Sequence, residues 1–221
     1  MMTARDFPEM LKLKSEVDEH GFTIYFGEEY LRLEHDAFER ETYFDLWKQG
    51  VLGRVAHSEV NQWFSEKLGQ QCQLVYQGTY NRSIPKKEGA ELEGKVSYAD
   101  QAPILMVSNA SMKDINQKVG GGITPQHFRP NILIDHDHPF EEDTWKVIKV
   151  GEVSFEVLEG CQRCVFTTID PITLMKHPKQ EPLRTLSKYR QHPRGGVSFG
   201  IQLVPRNEGM ITLHDKVEII K

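Results

Sequence analysis

A chain of 221 residues with 38% apolar and 27% charged residues has the composition of an ordinary soluble protein, with material for one large domain or two small ones. Its net charge of −5 argues against nucleic acid as a partner, which calls for a basic domain, and no apolar run approaches the roughly 20 residues of a membrane helix. The N-terminal MMTARDFPEMLKLK lacks the apolar stretch of a signal peptide, and three cysteines, Cys72, Cys161 and Cys164, are too few for a secreted disulfide framework; a cytoplasmic protein with unbridged thiols is expected.

Residues 22–26 (FTIYF), 30–35 (YLRLEH) and 51–55 (VLGRV) are rich in β-branched and aromatic residues and read as strands. From 57 to 69 the period changes. Val60, Trp63, Phe64 and Leu68 recur at helical spacing, with Ser58 as N-cap and Gly69 as stop. Residues 73–78 (QLVYQG) return to strand. The stretch SIPKKEGAELEGK (83–95) is charged, contains Pro and Gly and has no period, so it reads as a loop at a domain boundary. The expected organisation is a first domain at 1–82, a linker at 83–94 and a second domain at 95–221.

In the second domain, 104–108 (ILMVS) predicts a strand and 109–119 (NASMKDINQKV) a helix, whose SMKD at 111–114 resembles a capping box. GGGITPQHFRP (120–130) predicts irregular structure. Residues 131–135, 145–151, 153–160, 165–169, 197–205 and 209–220 are strand candidates, and 182–190 is a short helix with Pro182 in its first turn. Many strands with few helices predict an α+β fold, predominantly β and barrel-like.

Two cysteines three apart occur in GCQRCVFTTIDP (160–171). A zinc ribbon needs four ligands, commonly from two such pairs, and here there is one. His136 and His138 in DHDHPFEED (135–143) offer further donors, but that stretch reads as a solvated loop. A thioredoxin-like redox pair opens a helix, whereas 165–169 reads as strand. If the backbone is extended through 161–164, a spacing of three turns the side chains to opposite faces. One cysteine then serves as a functional thiolate and the other packs.

ADQAPILMVSNASMKDIN (99–116), FRPNILI (128–134), FEEDTWKVIKVGEVSF (140–155), CQRCVFTTIDP (161–171), EPLRTLSKYR (181–190), FG (199–200) and GMITLHDKVEII (209–220), in that order and spacing, resemble the MOSC domain over about residues 95 to 221. Within that family the likeness is to the mitochondrial amidoxime-reducing component and bacterial YcbX-type proteins. TARDFPEML (3–11) and GRVAHSEVNQWFSEKL (53–68) resemble the end and the helix of the family's N-terminal β-barrel domain. The resemblance implies a MOSC β-barrel-like domain with a partial N-terminal β-barrel domain packed on it.

It also implies a reductase carrying the molybdenum cofactor (molybdopterin), with Cys164 as the thiolate on the metal and Cys161 as a neighbour. Arg5, Asp100, Arg129, Asn131, Gln162 and Arg163 match positions that the family directs at the cofactor, and Asp100 is a candidate acid. Phosphate and pterin call for fork-shaped cations and fixed amide or carboxylate partners. The implied substrates are amidoximes, hydroxylamines and N-hydroxylated nucleobases. The alternatives are a carrier that hands on sulfur or the cofactor, and a remnant that folds without it. The basic segment 176–194 suits a phosphate or an acidic electron donor.

Against the family pattern, the chain starts inside the N-terminal domain, which predicts an open sheet edge and a weaker grip on the cofactor. It stops where bacterial relatives often continue into a ferredoxin-like domain. With three cysteines it is expected to hold no [2Fe–2S] cluster and to take electrons from a separate reductase or ferredoxin-like protein. His214 stands where relatives usually have Gly, in a terminal turn.

Overall fold

The computed structural model of the chain describes residues 2–46, 49–84, 95–99 and 101–221. The chain divides into two compact units, Met1–Arg82 and Ser83–Lys221. Residues 85–94, most of the expected linker, lie outside the described residues. No described helix is long and apolar enough to cross a membrane.

In the first unit β1 (Leu13–Asp18), β2 (Gly21–Phe26) and β3 (Glu29–Glu34) form an antiparallel meander. A second three-stranded sheet joins β4 (Phe38–Leu46), β5 (Gln49–Ala56) and β6 (Val75–Tyr76). Helix α1 (Ser58–Leu68) turns Val60 and Phe64 into a core with Leu33, Phe38 and Ala56. In these two sheets, two strands have no counterpart in the sequence reading. β1 exposes all but its first residue and β4 most of its positions, so neither shows the apolar alternation that marks a strand. The N-cap of α1 is His57 rather than Ser58, without a side-chain cap, while Gly69 ends it in the left-handed region as expected. The strand expected at 73–78 shrinks to two residues, because Asn61 Oδ1 takes the Leu74 N–H (2.8 Å) and Ser65 Oγ takes that of Cys72 (3.0 Å).

At the boundary where the second unit begins, two short strands, β7 (Arg82–Ser83) and β8 (Lys95–Val96), form a ribbon at the two ends of the stretch read as loop from the sequence. Six more make one sheet: β9 (Ile104–Ser108), β10 (Ile132–Ile134), β11 (Val147–Val150), β12 (Val153–Arg163), β13 (Val197–Pro205) and β14 (Val217–Ile219), in the order β10-β9-β13-β12-β11-β14. Only the β9–β10 pair is parallel. Ile134 of β10 and Val217 of β14, at the two edges, pack on one cluster around Met106, Ile148, Phe155, Ile201 and Leu203. The sheet is therefore rolled into a nearly closed, barrel-like form, the α+β, mainly β architecture read from the sequence. Each fully buried side chain of this kind contributes about 1.5–3 kcal/mol. On the other face, helices α2 (Asn109–Val119) and α3 (Leu183–Leu186) supply Met112, Ile115 and Leu186 to a second cluster with Val107, Phe128 and Phe199.

β13 is buried on both faces along Val197–Val204. Its register against β12 slips between Gly160 and Gln162, where Gly200 takes φ 75°. This bulge sends Phe199 to the helical side and Ile201 to the barrel interior, although the two lie two residues apart.

Local chemistry corrects four expectations. Helix α2 is capped by Ser108, whose side chain accepts the Ser111 N–H, so SMKD is not its capping box. Residues Val165–Thr168 form a 3-10 helix, not a strand. Thr167 Oγ1 donates to Cys164 O (3.0 Å) and Thr168 Oγ1 to Val165 O (2.7 Å), a local alternative to ladder pairing. The helix expected over 182–190 is confined to Leu183–Leu186, with Pro182 at its N-cap. The strand expected over 209–220 shortens to β14, since Asp215 accepts hydrogen bonds from Thr212 N (2.8 Å) and Oγ1 (2.9 Å) and closes a turn.

Candidate functional site

Strand β12 delivers the C-x-R-C segment to one end of the sheet. Gln162 and Arg163 are still paired with Ser198 and Val197, and Cys164 is the first residue past the strand and the N-cap of the 3-10 helix. Cys161 is buried and Cys164 is exposed. The Cys161 sulfur accepts hydrogen bonds from Arg163 Nη1 (3.0 Å) and Gln202 Nε2 (3.7 Å), and Gln202 Nε2 also donates to Gln101 Oε1 (2.9 Å).

Arg163 joins this strand end to the FRPN turn. Its Nη2 donates to Phe128 O (2.7 Å), its guanidinium lies 5.3 Å from the Phe128 ring, and its buried Nε has no partner. The turn is built by the 3-10 helix Pro125–His127, capped reciprocally by Thr124 and His127. Burial holds the His127 imidazole below its ordinary pKa. Arg129 then takes φ 54°, its N–H donating to Pro125 O (2.9 Å). The Arg129 side chain is exposed, with its guanidinium 5.8 Å from the ring of Phe166, two residues beyond Cys164. A non-glycine residue in the left-handed region is held there by its surroundings at a cost, and such residues cluster at functional sites.

The other predicted residues divide. Asn131 Oδ1 accepts the Leu105 N–H (2.8 Å) and its own N–H donates to Leu105 O (2.8 Å), so that amide oxygen holds the turn to β9. Gln162 Nε2 donates to Gly195 O (2.7 Å) and lies 3.2 Å from Nδ1 of buried His192. Asp100 lies outside the described residues. Arg5 sits in the first unit, in a turn where the Asp6 and Phe7 N–H groups donate to Thr3 O. The structure thus brings Gln162, Arg163, Cys164 and Arg129 to one region of the second unit. His136 of the DHDH loop is held by Glu141 (2.8 Å) and lies edge-on to Trp145.

Gln202 and His192 are absent from the sequence reading. Gln202 carries a signal in retrospect: it is the one amide in a largely apolar strand run, and a buried amide requires partners. His192, in an irregular basic segment, carries none. Among the described residues no group of three or more His, Cys, Asp or Glu could hold a metal ion.

The profile of the MOSC domain matches residues 93–218. The human mitochondrial amidoxime-reducing component 1 is 32% identical over 77% of this chain and 53% of its own length. The rat mitochondrial amidoxime reducing component 2 is 35% identical over 66% of this chain and 44% of its own length. The molybdenum cofactor sulfurase of Arabidopsis thaliana is 27% identical over 92% of this chain and 28% of its own length. This chain therefore spans about half or less of these relatives. A solved structure, YiiM from Geobacillus stearothermophilus, aligns with 77% of this chain and 72% of its own at a TM-score of 0.41 and 13% identity. With its rolled sheet, its C-x-R-C end and a profile match over more than half its length, the chain belongs to the MOSC domain family.

Proposed function

We propose that this chain is a molybdenum-cofactor-binding oxidoreductase that reduces N-hydroxylated compounds, namely amidoximes, hydroxylamines and N-hydroxylated nucleobases, with electrons from a separate protein. The observation that carries the reading is the split of the cysteine pair: Cys161 is enclosed in a hydrogen-bonded network, which includes the Arg163 guanidinium, while Cys164 stands exposed and Arg129 lies 5.8 Å from the ring of Phe166, two residues further on. The residues present fit the cofactor. A single soft thiolate suits a metal that arrives with sulfur donors of its own. The partnerless Nε of Arg163 leaves a buried donor unsatisfied, and Arg129 presents a fork matched to phosphate.

Cys164 would hold the metal. Arg129 and Arg163 would hold the anionic and hydrogen-bonding periphery of the cofactor, aided by Gln162 through its amide oxygen and by Asn131 through its NH2 group. The bound cofactor supplies two-electron redox chemistry. The net reaction converts R–NHOH, two electrons and two protons to R–NH2 and water. Asp100 supplies a proton as general acid. Phe128, stacked on Phe199 with centroids 4.1 Å apart, walls the inner side of the turn against water.

A second reading, a carrier of sulfur or of the cofactor, is favoured by the sulfurase likeness, which covers 92% of the chain. Turnover separates the two. The cofactor-loaded chain, given an amidoxime and a small chemical reductant, is expected to release the amidine over many cycles. Release of at most one equivalent per chain would favour the carrier.

A further inference from the structure

Residues 169–177, directly after the 3-10 helix that Cys164 caps, form a hairpin. Ile169 bridges Lys176, Asp170 N donates to Met175 O (2.9 Å), and His177 N donates to Thr168 O (2.7 Å). Asp170 Oδ1 fixes the tip by accepting from Ile172 N (2.9 Å), Thr173 N (2.7 Å) and Thr173 Oγ1 (3.1 Å). This well-bonded tip exposes two large apolar side chains, Ile172 at 88% and Met175 at 71%. A fixed loop that holds such groups in water is the mark of a contact surface.

The charges around the tip are one-sided. Lys176, Lys179, Arg184 and Lys188 are exposed, and among the described residues none has an ion-pair partner, whereas Arg190 pairs with Asp143 and Arg194 with Glu159. The acids of the segment are engaged in local hydrogen bonds, not in ion pairs with these cations. Asp170 caps the tip and Glu181 Oε2 accepts the Thr185 N–H (3.0 Å). A protein of net charge −5 thus carries four exposed cations without an ion-pair partner in the segment that holds the apolar tip. A 3-10 helix rises about 2 Å per residue, which puts the hairpin base roughly 8 Å along the chain from Cys164.

We infer that this hairpin, with Ile172 and Met175 at its centre and the four cations as rim, is the docking surface for an acidic electron-carrier protein. The assignment rests on the reductase reading above, in which a separate protein supplies two electrons for each turnover. Apolar contact gives hold, while the cationic rim steers an acidic carrier to the face next to Cys164.

The test uses the full chain and an acidic [2Fe–2S] ferredoxin as probe. Wild type should bind it with an affinity that falls steeply with salt. Lys176→Glu with Lys179→Glu should weaken binding at least tenfold, as should Met175→Asp. The control, Lys149→Glu on β11 with Lys146→Glu just before it, makes the same change in net charge and should cost less than threefold. Turnover with a small chemical reductant should be equal in all four proteins. Salt-independent or undetectable binding by wild type, or equal weakening in both double variants, would overturn the surface. Failure of wild type to turn over with the chemical reductant would instead sink the reductase reading, whatever the ferredoxin does.

Discussion

At the scale of single residues, the separation of Cys161 from Cys164 was legible in the sequence because extended backbone alternates its side chains, and β12 is extended through Arg163. The distant partner of Cys161 was not legible, since Gln202 reaches it from another strand and is itself bonded to Gln101. His127 was not legible as a structural residue either. Its Nδ1 accepts the Thr124 N–H (3.1 Å), which requires that nitrogen to be unprotonated, and burial lowers its pKa below the ordinary 6.5. The unfolded chain therefore binds this proton more readily than the folded one, so the contribution of His127 is full above about pH 6.5 and is lost as pH falls through the folded value. Replacing His127 by Asn, which keeps an acceptor but does not titrate, is expected to flatten the loss of stability between pH 7 and 5 in urea titrations. Unchanged slopes would contradict this.

At the scale of elements, the buried strands β9 and β13 were readable as apolar runs, and β13 matches its expected bounds. The 3-10 helix after Cys164 was misread because Val, Thr and Ile favour strands by propensity, while two threonine hydroxyls close the turn locally. The bulge at Gly200 left no mark beyond a glycine. A Cβ there would lie 2.7 Å from Met106 O and 2.8 Å from Val107 Cγ2, at φ 75°. Gly200→Ala should therefore destabilise the protein by at least about 1–3 kcal/mol. His214 shows the opposite case: it takes φ 74° in the turn closed by Asp215. His214→Gly relieves a left-handed conformation that costs a side-chain-bearing residue about 1–2 kcal/mol, partly offset by greater freedom of the unfolded chain. A net gain of up to about 1 kcal/mol is expected. Chemical denaturation of both variants checks the pair, and shifts of the same sign would contradict it.

At the scale of the whole molecule, strand number and ordered motifs carried the fold class and the family, because both depend on patterns spread along the chain. The rolling of the sheet was carried less directly, since it depends on β10 and β14, three residues each, reaching one core from opposite edges. The account turns on one thiolate. Its most direct test is the molybdenum content of wild type, Cys164→Ala and Cys161→Ala, each purified folded from a host that makes the cofactor. The account predicts molybdenum near one per chain in wild type, none in Cys164→Ala and most of it retained in Cys161→Ala. Equal loss in both variants, or folded wild type without molybdenum, would contradict it.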